Sequence, residues 1–263
     1  MKIVLITQEE PFYLPRFFQK FKQTIDAQIE VVGVVILPPF NGQSHWLGVI
    51  RDHFFFYGLP TFIRQGWDFV RFKVLDFFSK PTDQGQRFYS VKKLSQAAEW
   101  PLLSTNNINH PNFISHLKAL QPELLVSVAC PQLMKAELLA IPARGAINLH
   151  AGPLPRYRGM APLFWCMLQG EKASAVSIHQ VNDRIDDGPI LAQQALPIEQ
   201  GDSLDALYLK LIRQGPHLLA VTLDELRQDR VTPQANSQAE GSYFSFPDRA
   251  AGRRFRKKGL KFR

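Results

Sequence analysis

Residues Leu124–His150 read LLVSVACPQLMKAELLAIPARGAINLH. The apolar run Leu124–Ala129 is typical of a strand that is buried on both faces, and Ala146–Leu149 is typical of a second, shorter strand. Between them, Gln132–Leu139 predicts a helix. A strand, a helix and another strand in this order predict one βαβ unit of a parallel sheet.

The same alternation of strands and helices continues on both sides of this unit. Further strands are predicted at residues 2–7, 29–37, 175–181 and 190–198. Further helices are predicted at residues 14–26, 91–99, 112–120, 161–169 and 202–227. We predict that the last helix has Asp202 as its N-cap and breaks near Gly215-Pro216. The pattern indicates an α/β fold with a doubly wound, mostly parallel sheet, whose ligands bind at the carboxyl ends of its strands.

The composition is that of a globular protein of ordinary polarity. Of the 263 residues, 45% are hydrophobic and 21% are charged, which excludes a wholly disordered chain. No apolar run approaches the length that spans a bilayer, so no membrane partner is expected. With only Cys130 and Cys166 present, a disulfide scaffold is disfavoured, and the expected location is the reducing cytoplasm.

The net charge of +8 is concentrated at the carboxyl end. Seven lysines and arginines and no acids lie in Arg253–Arg263, so subtracting seven from +8 leaves +1 for the rest of the chain. We therefore divide the chain into a catalytic domain at residues 1–231 and a linker with a short basic extension at residues 232–263. The extension is expected either to contact a phosphate-bearing partner or an anionic surface, or to be a solvated terminus.

A second compositional anomaly is the aromatic segment at about residues 45–80. It contains eleven aromatic side chains from Trp46 to Phe78. We interpret it as a helical insertion of one or two amphipathic helices that pack on the sheet or form a homodimer interface. A surface for the acceptor or for another partner is the alternative.

Two polar segments carry the candidate chemistry. Residues 148–159 read NLHAGPLPRYRG, and residues 184–189 read RIDDGP. Asn148 and His150 are two residues apart on an extended backbone, so their side chains leave the same face. An amide donor can stabilise an oxyanion, and an imidazole can move a proton near neutral pH. Asp186 can supply the carboxylate that orients the imidazole and raises its pKa. The alternative is that these side chains only cap turns or satisfy backbone groups.

These segments resemble the folate-dependent formyltransferases. The resemblance extends over about Lys2–Leu211 and is strongest from Leu124 to Leu191, where the elements N-x-H, L-P-x-Y-R-G and D-x-G-P occur in the order of the family. It implies a Rossmann-like core and a catalytic triad at Asn148, His150 and Asp186. Asp187 is adjacent, so an exchange of roles between the two acids stays open.

The resemblance also implies the substrates. The formyl donor would be 10-formyltetrahydrofolate, no metal would be required, and the folate would lie near Gln132, Leu133, Met134 and Asp187. The acceptor would be a primary amine. The turn at Thr7–Pro15 contains no glycine, which disfavours a phosphate cradle of the glycinamide ribonucleotide type and favours a methionyl-tRNA-like acceptor.

Other functions stay open at this stage. They are N-formylation of a nucleotide-linked amino sugar, hydrolysis of the formyl group, and a non-catalytic folate- or RNA-binding relative. The few residues after Pro233 are too short for the second domain of methionyl-tRNA formyltransferases, and we expect no regulatory domain before the first strand.

Overall fold

The computed structural model describes residues 1–38, 46–82 and 87–263. In these ranges, seven strands form one sheet in the order β3-β2-β1-β4-β5-β7-β8. They are β1 Lys2–Gln8, β2 Glu30–Leu37, β3 Leu102–Leu103, β4 Leu124–Val128, β5 Ala146–His150, β7 Ala173–Gln180 and β8 Ile190–Pro197. Two short strands, β6 Arg158–Gly159 and β9 Tyr243–Phe244, form a separate parallel pair.

The predicted α/β class with a mostly parallel sheet is confirmed. Strands β3, β2, β1, β4 and β5 are parallel to one another, whereas β7 runs antiparallel to both β5 and β8. The helices in the described ranges are α1 Leu14–Thr24, α2 Trp46–Tyr57, α3 Leu59–Phe78, α4 Val91–Ala97, α5 Pro111–Leu120, α6 Ala136–Leu139, α7 Pro162–Gln169, α8 Leu204–Arg227 and α9 Arg249–Lys257. None of them is long and apolar enough to cross a bilayer.

The sheet separates two apolar cores. In β1, Ile3 and Leu5 face one core, and Val4 and Ile6 face the other. All four side chains are inaccessible to solvent, as expected for a central strand with helices on both faces. The carboxyl ends of β1, β4 and β5 lie at the same edge of the sheet because these strands are parallel. The ends of the NLH segment and of the first strand therefore meet at one edge.

The helix predicted at Gln132–Leu139 is shorter than expected. Only Ala136–Leu139 is helical. Residues 132–135 are instead tied to the segment before α5: the Asn109 side chain donates a hydrogen bond to the Leu133 carbonyl and accepts one from the Lys135 N–H. Because these long-range bonds use groups that a helix would need, the helix begins later.

The long helix α8 differs from its prediction at two points. Ser203, not Asp202, is the N-cap, since its hydroxyl accepts a hydrogen bond from the Ala206 N–H at 3.1 Å. The helix is also continuous through Gly215 and Pro216, both of which are buried. At Gly215 a Cβ atom would lie 3.1 Å from the Phe17 ring, so glycine permits close packing on α1. Burial of the apolar face of α8 offsets the hydrogen bond that proline removes.

The aromatic segment forms two helices, α2 and α3. Its predicted first residue, residue 45, lies outside the described residues. Phe72 of α3 is buried and packs edge-on against Phe12, and Asp76 accepts a hydrogen bond from Ser90. One side of α3 is therefore fixed to the body of the protein. The opposite side is exposed, so the expectation that the helices pack on the sheet describes only part of their surface.

The carboxyl-terminal residues pack into the main core. Phe255 of α9 is inaccessible to solvent and stacks on Phe164 at a ring-centroid distance of 4.8 Å, and Phe262 packs against both. Arg256 donates a hydrogen bond to the Phe56 carbonyl of α2. The boundary proposed at residue 231 remains a prediction, but the residues after it are not a solvated terminus. Ala251, Phe255 and Phe262 belong to the core, while Arg253, Arg254, Arg256, Lys257, Lys258 and Lys261 are exposed.

We predict that Phe255→Ala lowers the free energy of unfolding by about 3–5 kcal/mol, because it removes a fully buried ring from a well-packed core. Arg253→Ala, on the exposed side of the same helix, is the matched control and should change stability by less than about 0.5 kcal/mol. Urea denaturation followed by circular dichroism measures both. Equal stability of the two variants would show that the carboxyl-terminal helix is not part of the cooperative core.

Candidate active site

Asn148 and His150 lie at the end of β5, as the alternation of strand side chains predicts. His150 is the last residue of this strand and is buried. Across the antiparallel pair, Asn148 is opposite His179 and His150 is opposite Ser177. The Asn148 amide nitrogen lies 3.2 Å from His179 Nε2. The end of β5 thus presents an amide and two imidazoles in one place.

Asp186 joins this group from the loop between β7 and β8. One carboxylate oxygen lies 3.3 Å from His150 Nδ1 and accepts a hydrogen bond from the Gly159 N–H at 2.9 Å. The other lies 3.3 Å from His179 Nε2 and 3.4 Å from the Asn148 amide nitrogen. The structure therefore brings together all three residues that the sequence assigned to the triad.

The loop that carries Asp186 is held in an uncommon conformation. Asp186 has a φ of 50°, in the left-handed region that aspartate adopts more readily than most residues. The Asn236 amide donates hydrogen bonds to the carbonyls of Asp186 and Gly188 at 2.9 and 2.8 Å. At Gly188, a Cβ atom would lie 2.0 Å from the Gln180 carbonyl oxygen, so only glycine fits. The turn is thus fixed from both sides, and the carboxylate has little freedom to leave.

His150 has an acceptor at each ring nitrogen. Nε2 lies 2.8 Å from the Tyr157 carbonyl oxygen, and Nδ1 faces Asp186. Burial nevertheless lowers the pKa of His150 below its usual value, against the opposing effects of Asp186 and the Tyr157 carbonyl. Asp186 thus acts on this pKa in the direction that is expected from the sequence, but burial outweighs it. The ring is neutral at pH 7, and the two oxygens form a ready site for the proton that it would accept.

Asp186 has the opposite tendency. Burial opposes its ionisation, but the hydrogen bond with His179, the neighbouring His150 and the Gly159 N–H outweigh burial and bring its pKa to about 2. It is thus a carboxylate throughout the neutral range. A fixed negative charge beside a neutral imidazole stabilises the protonated form of that imidazole when a proton arrives.

Asp187 points elsewhere. Its carboxylate pairs with Arg158 at 3.0 Å and accepts a hydrogen bond from the Gln238 amide at 2.8 Å. These contacts, first the bond from Gln238, lower its pKa. Arg158 also donates to Asn236. Of the two adjacent acids, Asp186 is the one that contacts Asn148 and His150, and Asp187 braces the surrounding loop.

Two residues at the site were missed from the sequence. His179, regarded as structural by default, touches both Asn148 and Asp186. Pairing of the predicted strand 175–181 against the NLH segment could have revealed it, because such a pairing places His179 opposite Asn148. Asn236 lies in the segment interpreted as a linker, and no local pattern marks its role.

The residues assigned to the folate have different surroundings. Leu133 is 60% exposed, whereas Met134 is buried in the second core, and the Gln132 amide is bound to the backbone of Ile108 and Asn106. Only Leu133 of this segment presents a free apolar side chain. The nearby Cys130 is a poor nucleophile, because burial raises the pKa of its thiol to about 11.

Comparisons with known proteins agree with the fold. The family model described as formyl transferase matches residues 78–223, which is more than half of the chain. Methionyl-tRNA formyltransferase of Pelobacter propionicus is 36% identical over 166 residues, which cover 62% of this chain and 52% of that protein. The chain spans about half the length of the curated relatives that it matches.

Solved structures share the architecture at low identity. Glycinamide ribonucleotide transformylase 1 from Symbiobacterium toebii has a TM-score of 0.61 and 14% identity, over 90% of this chain and 92% of that chain. WlaRD, a sugar 3N-formyl transferase, has a TM-score of 0.57 and 17% identity, over 93% of this chain and 69% of that chain. The α/β core shared with these structures and the family model that matches the sequence indicate the same class of protein, the formyl transferases. This chain belongs to the formyl transferase family.

We predict that His150 titrates below the usual histidine range and falls further in Asp186→Asn, because the carboxylate raises the pKa of this ring and an amide cannot. NMR of protein labelled at the histidine ring carbon measures both values, and the spectrum of His150→Gln assigns the signal. Asp187→Asn is the control, since Asp187 does not contact the ring. An unchanged titration in Asp186→Asn would separate Asp186 electrostatically from His150.

Proposed function

We propose that this protein transfers the formyl group of 10-formyltetrahydrofolate to a primary amine. The observation that carries the proposal is the contact of Asp186 with both Asn148 and His150 at 3.3–3.4 Å, although the acid is 36 residues further along the chain than His150. An amide, a neutral imidazole and a fixed carboxylate at one strand end suit a reaction that develops an oxyanion and moves one proton. The family relationship supports the same chemistry.

The reaction begins with attack of the neutral amine on the formyl carbon. A carbon–nitrogen bond forms, and the formyl oxygen gains negative charge in a tetrahedral intermediate. Asn148 donates an amide hydrogen to that oxygen. Its amide nitrogen is held by Asp186 and His179, so this donor is already oriented before the reaction.

His150 accepts the proton that the attacking amine must lose. The imidazolium that results is stabilised by the Asp186 carboxylate at one nitrogen and the Tyr157 carbonyl at the other. The proton then passes to the departing folate nitrogen as its bond to the formyl carbon breaks. The number of protons is thereby balanced, and the charge of the chain returns to its starting value.

The donor is proposed to lie along the segment that contains Leu133. This exposed side chain would contact the pterin, while Gln132 and Asn109 hold the backbone around it in place. Asp187 would act on the donor only by bracing the loop of Arg158. With two unpaired cysteines, Cys130 and Cys166, the chain suits the reducing cytoplasm, where we place this reaction.

We expect Asn148→Ala, His150→Ala and Asp186→Asn each to lower kcat for formyl transfer by about 10²- to 10³-fold, because each removes a group that acts on the transition state. Thermal denaturation and equilibrium binding of 10-formyltetrahydrofolate serve as controls for folding and donor binding. Asp187→Asn should retain most of the activity. A loss in Asp187→Asn as large as that in Asp186→Asn would exchange the roles of the two acids.

A methionyl-tRNA-like acceptor is favoured. Three curated relatives that are 34–36% identical to this chain carry the name methionyl-tRNA formyltransferase. Six cations after residue 252 are exposed and can make phosphate contacts, even though the aromatic side chains between them are buried. An amino sugar linked to a nucleotide is the alternative, supported by structural similarity to a sugar formyltransferase.

We predict that transfer from 10-formyltetrahydrofolate is detected with methionyl-tRNA and is absent with uncharged tRNA, because the reaction requires a free amine. A panel of nucleotide-linked amino sugars assayed in parallel, with His150→Ala as the inactive control, identifies the alternative acceptor class. Transfer to an amino sugar alone would replace the tRNA assignment. Folate binding without transfer to any amine, and without hydrolysis, would instead support a non-catalytic folate-binding protein.

A further inference from the structure

Helix α3 carries an exposed apolar stripe. Seven large side chains lie on it with exposed fractions between 50% and 79%: Leu59, Ile63, Trp67, Val70, Val74, Phe77 and Phe78. At 3.6 residues per turn these positions fall within roughly 100° of the helix circumference. A contiguous apolar surface of this kind is rare on a protein that contacts only water, so it indicates a partner.

The orientation of the stripe is fixed by the rest of the fold. Opposite the stripe, Phe72 is buried, Asp68 forms an ion pair with Arg263, and Asp76 binds Ser90. Lys93 of α4 also donates to the carbonyls of Phe77 and Ser79 at the end of the helix. Because these contacts hold the middle and the carboxyl-terminal end of α3, the stripe cannot turn inward without breaking them.

The charges beside the stripe have one sign. Arg64 and Arg71 lie along one border of the stripe and Lys73 lies along the other, and all three are exposed. The two acids of α3, Asp68 and Asp76, are on the side that packs against the body. The exposed side of the helix is therefore apolar in the middle and basic at both borders, which complements an anionic partner.

Arg64 and Arg71 also line a cleft of about 330 Å³ next to the helix. Five arginines (Arg16, Arg64, Arg71, Arg87 and Arg263) and two aspartates (Asp68 and Asp205) face it, so five minus two leaves three positive charges unbalanced. Arg263 approaches both aspartates. Within the described ranges, no carboxylate lies within 4.0 Å of the other four arginines. The cleft is thus suited to phosphate groups.

We propose that α3 docks on the surface of an anionic phospholipid bilayer, with the apolar stripe among the acyl chains near the headgroups and the arginine cleft on lipid phosphates. This inference does not depend on the proposed formyl transfer. Tryptophan and phenylalanine between basic borders are typical of helices that lie in the membrane interface without crossing it. The proposal assigns a membrane-surface partner to the aromatic segment. No membrane partner was expected from the sequence, because only segments that could span a bilayer were considered.

Self-association explains the surface less well. An antiparallel two-fold packing of α3 on a second copy would place Arg64 beside the partner's Arg71, and a parallel one would place Arg71 beside the partner's Lys73. Either arrangement opposes like charges at the border of an apolar contact. RNA would satisfy the arginines, but it offers nothing to Leu59, Ile63, Val70 and Val74.

The test is co-sedimentation of the full chain with vesicles of phosphatidylcholine alone or with about one third phosphatidylglycerol. We expect binding to the anionic vesicles and little to the neutral ones. Trp67→Glu combined with Phe77→Glu should weaken binding at least about 10-fold. Val221→Glu, which adds one glutamate at an exposed apolar position of α8, is the control for added negative charge and should bind like the wild type.

Two further measurements separate the contributions. Arg64→Gln and Arg71→Gln should each weaken binding about 5-fold and reduce its salt dependence. The fluorescence difference between the wild type and Trp67→Phe should shift to the blue on anionic vesicles. Equal sedimentation with both lipid compositions, or unchanged binding in the double glutamate variant, would overturn the proposal. So would a vesicle-free dimer that the double variant dissociates.

Discussion

The carboxylate of Asp186 is the group around which the candidate site is built. A buried charge is costly unless polar groups surround it, and here they come from separate elements: the N–H of Gly159 in β6, the Asn148 amide and His150 ring in β5, and the His179 ring in β7. Satisfying one charge therefore fixes three strands relative to one loop. The same contacts leave the imidazole of His150 neutral but prepared for a proton, so the structural constraint and the proposed chemistry have one origin.

This arrangement depends on residues far along the chain. Asn236 holds the carbonyls on both sides of Asp187, Ser242 accepts a hydrogen bond from the Tyr157 N–H, and β9 pairs with β6. At Gly159 a Cβ atom would lie 2.2 Å from the Phe244 carbonyl oxygen, so the two strands approach closely only because this residue is glycine. The family match ends at residue 223. Beyond it, the chain supplies the outer wall of the site and closes the core with Phe255 and Phe262.

The features that could be predicted from the sequence are those that depend on local periodicity. The alternation of strands and helices indicated the parallel sheet, and the spacing of Asn148 and His150 indicated a shared face. His179 was missed because its role arises from antiparallel register, which is a property of two distant segments. The burial of Phe255 was missed because it lies among seven basic residues, and a strongly basic segment is typical of a solvated terminus and not of a buried helix face. The helix at residues 132–139 was overestimated because the Asn109 side chain, from another segment, binds the Leu133 carbonyl and the Lys135 N–H.

The position of the arginine cleft connects the two proposals. Phe12 and Tyr13, which line the cleft, follow β1, and His150 ends β5; because the intervening strands are parallel, both lie at the carboxyl edge of the sheet. Most residues of the cleft and all but Phe78 of the stripe lie before residue 78, where the family match begins. The three proposed catalytic residues thus lie inside the match, whereas most of the proposed docking surface lies before it. A helix that holds this edge near an anionic surface would present the site to amines that lie at that surface. The excess of arginine over aspartate in the cleft would favour amines that also carry phosphate groups.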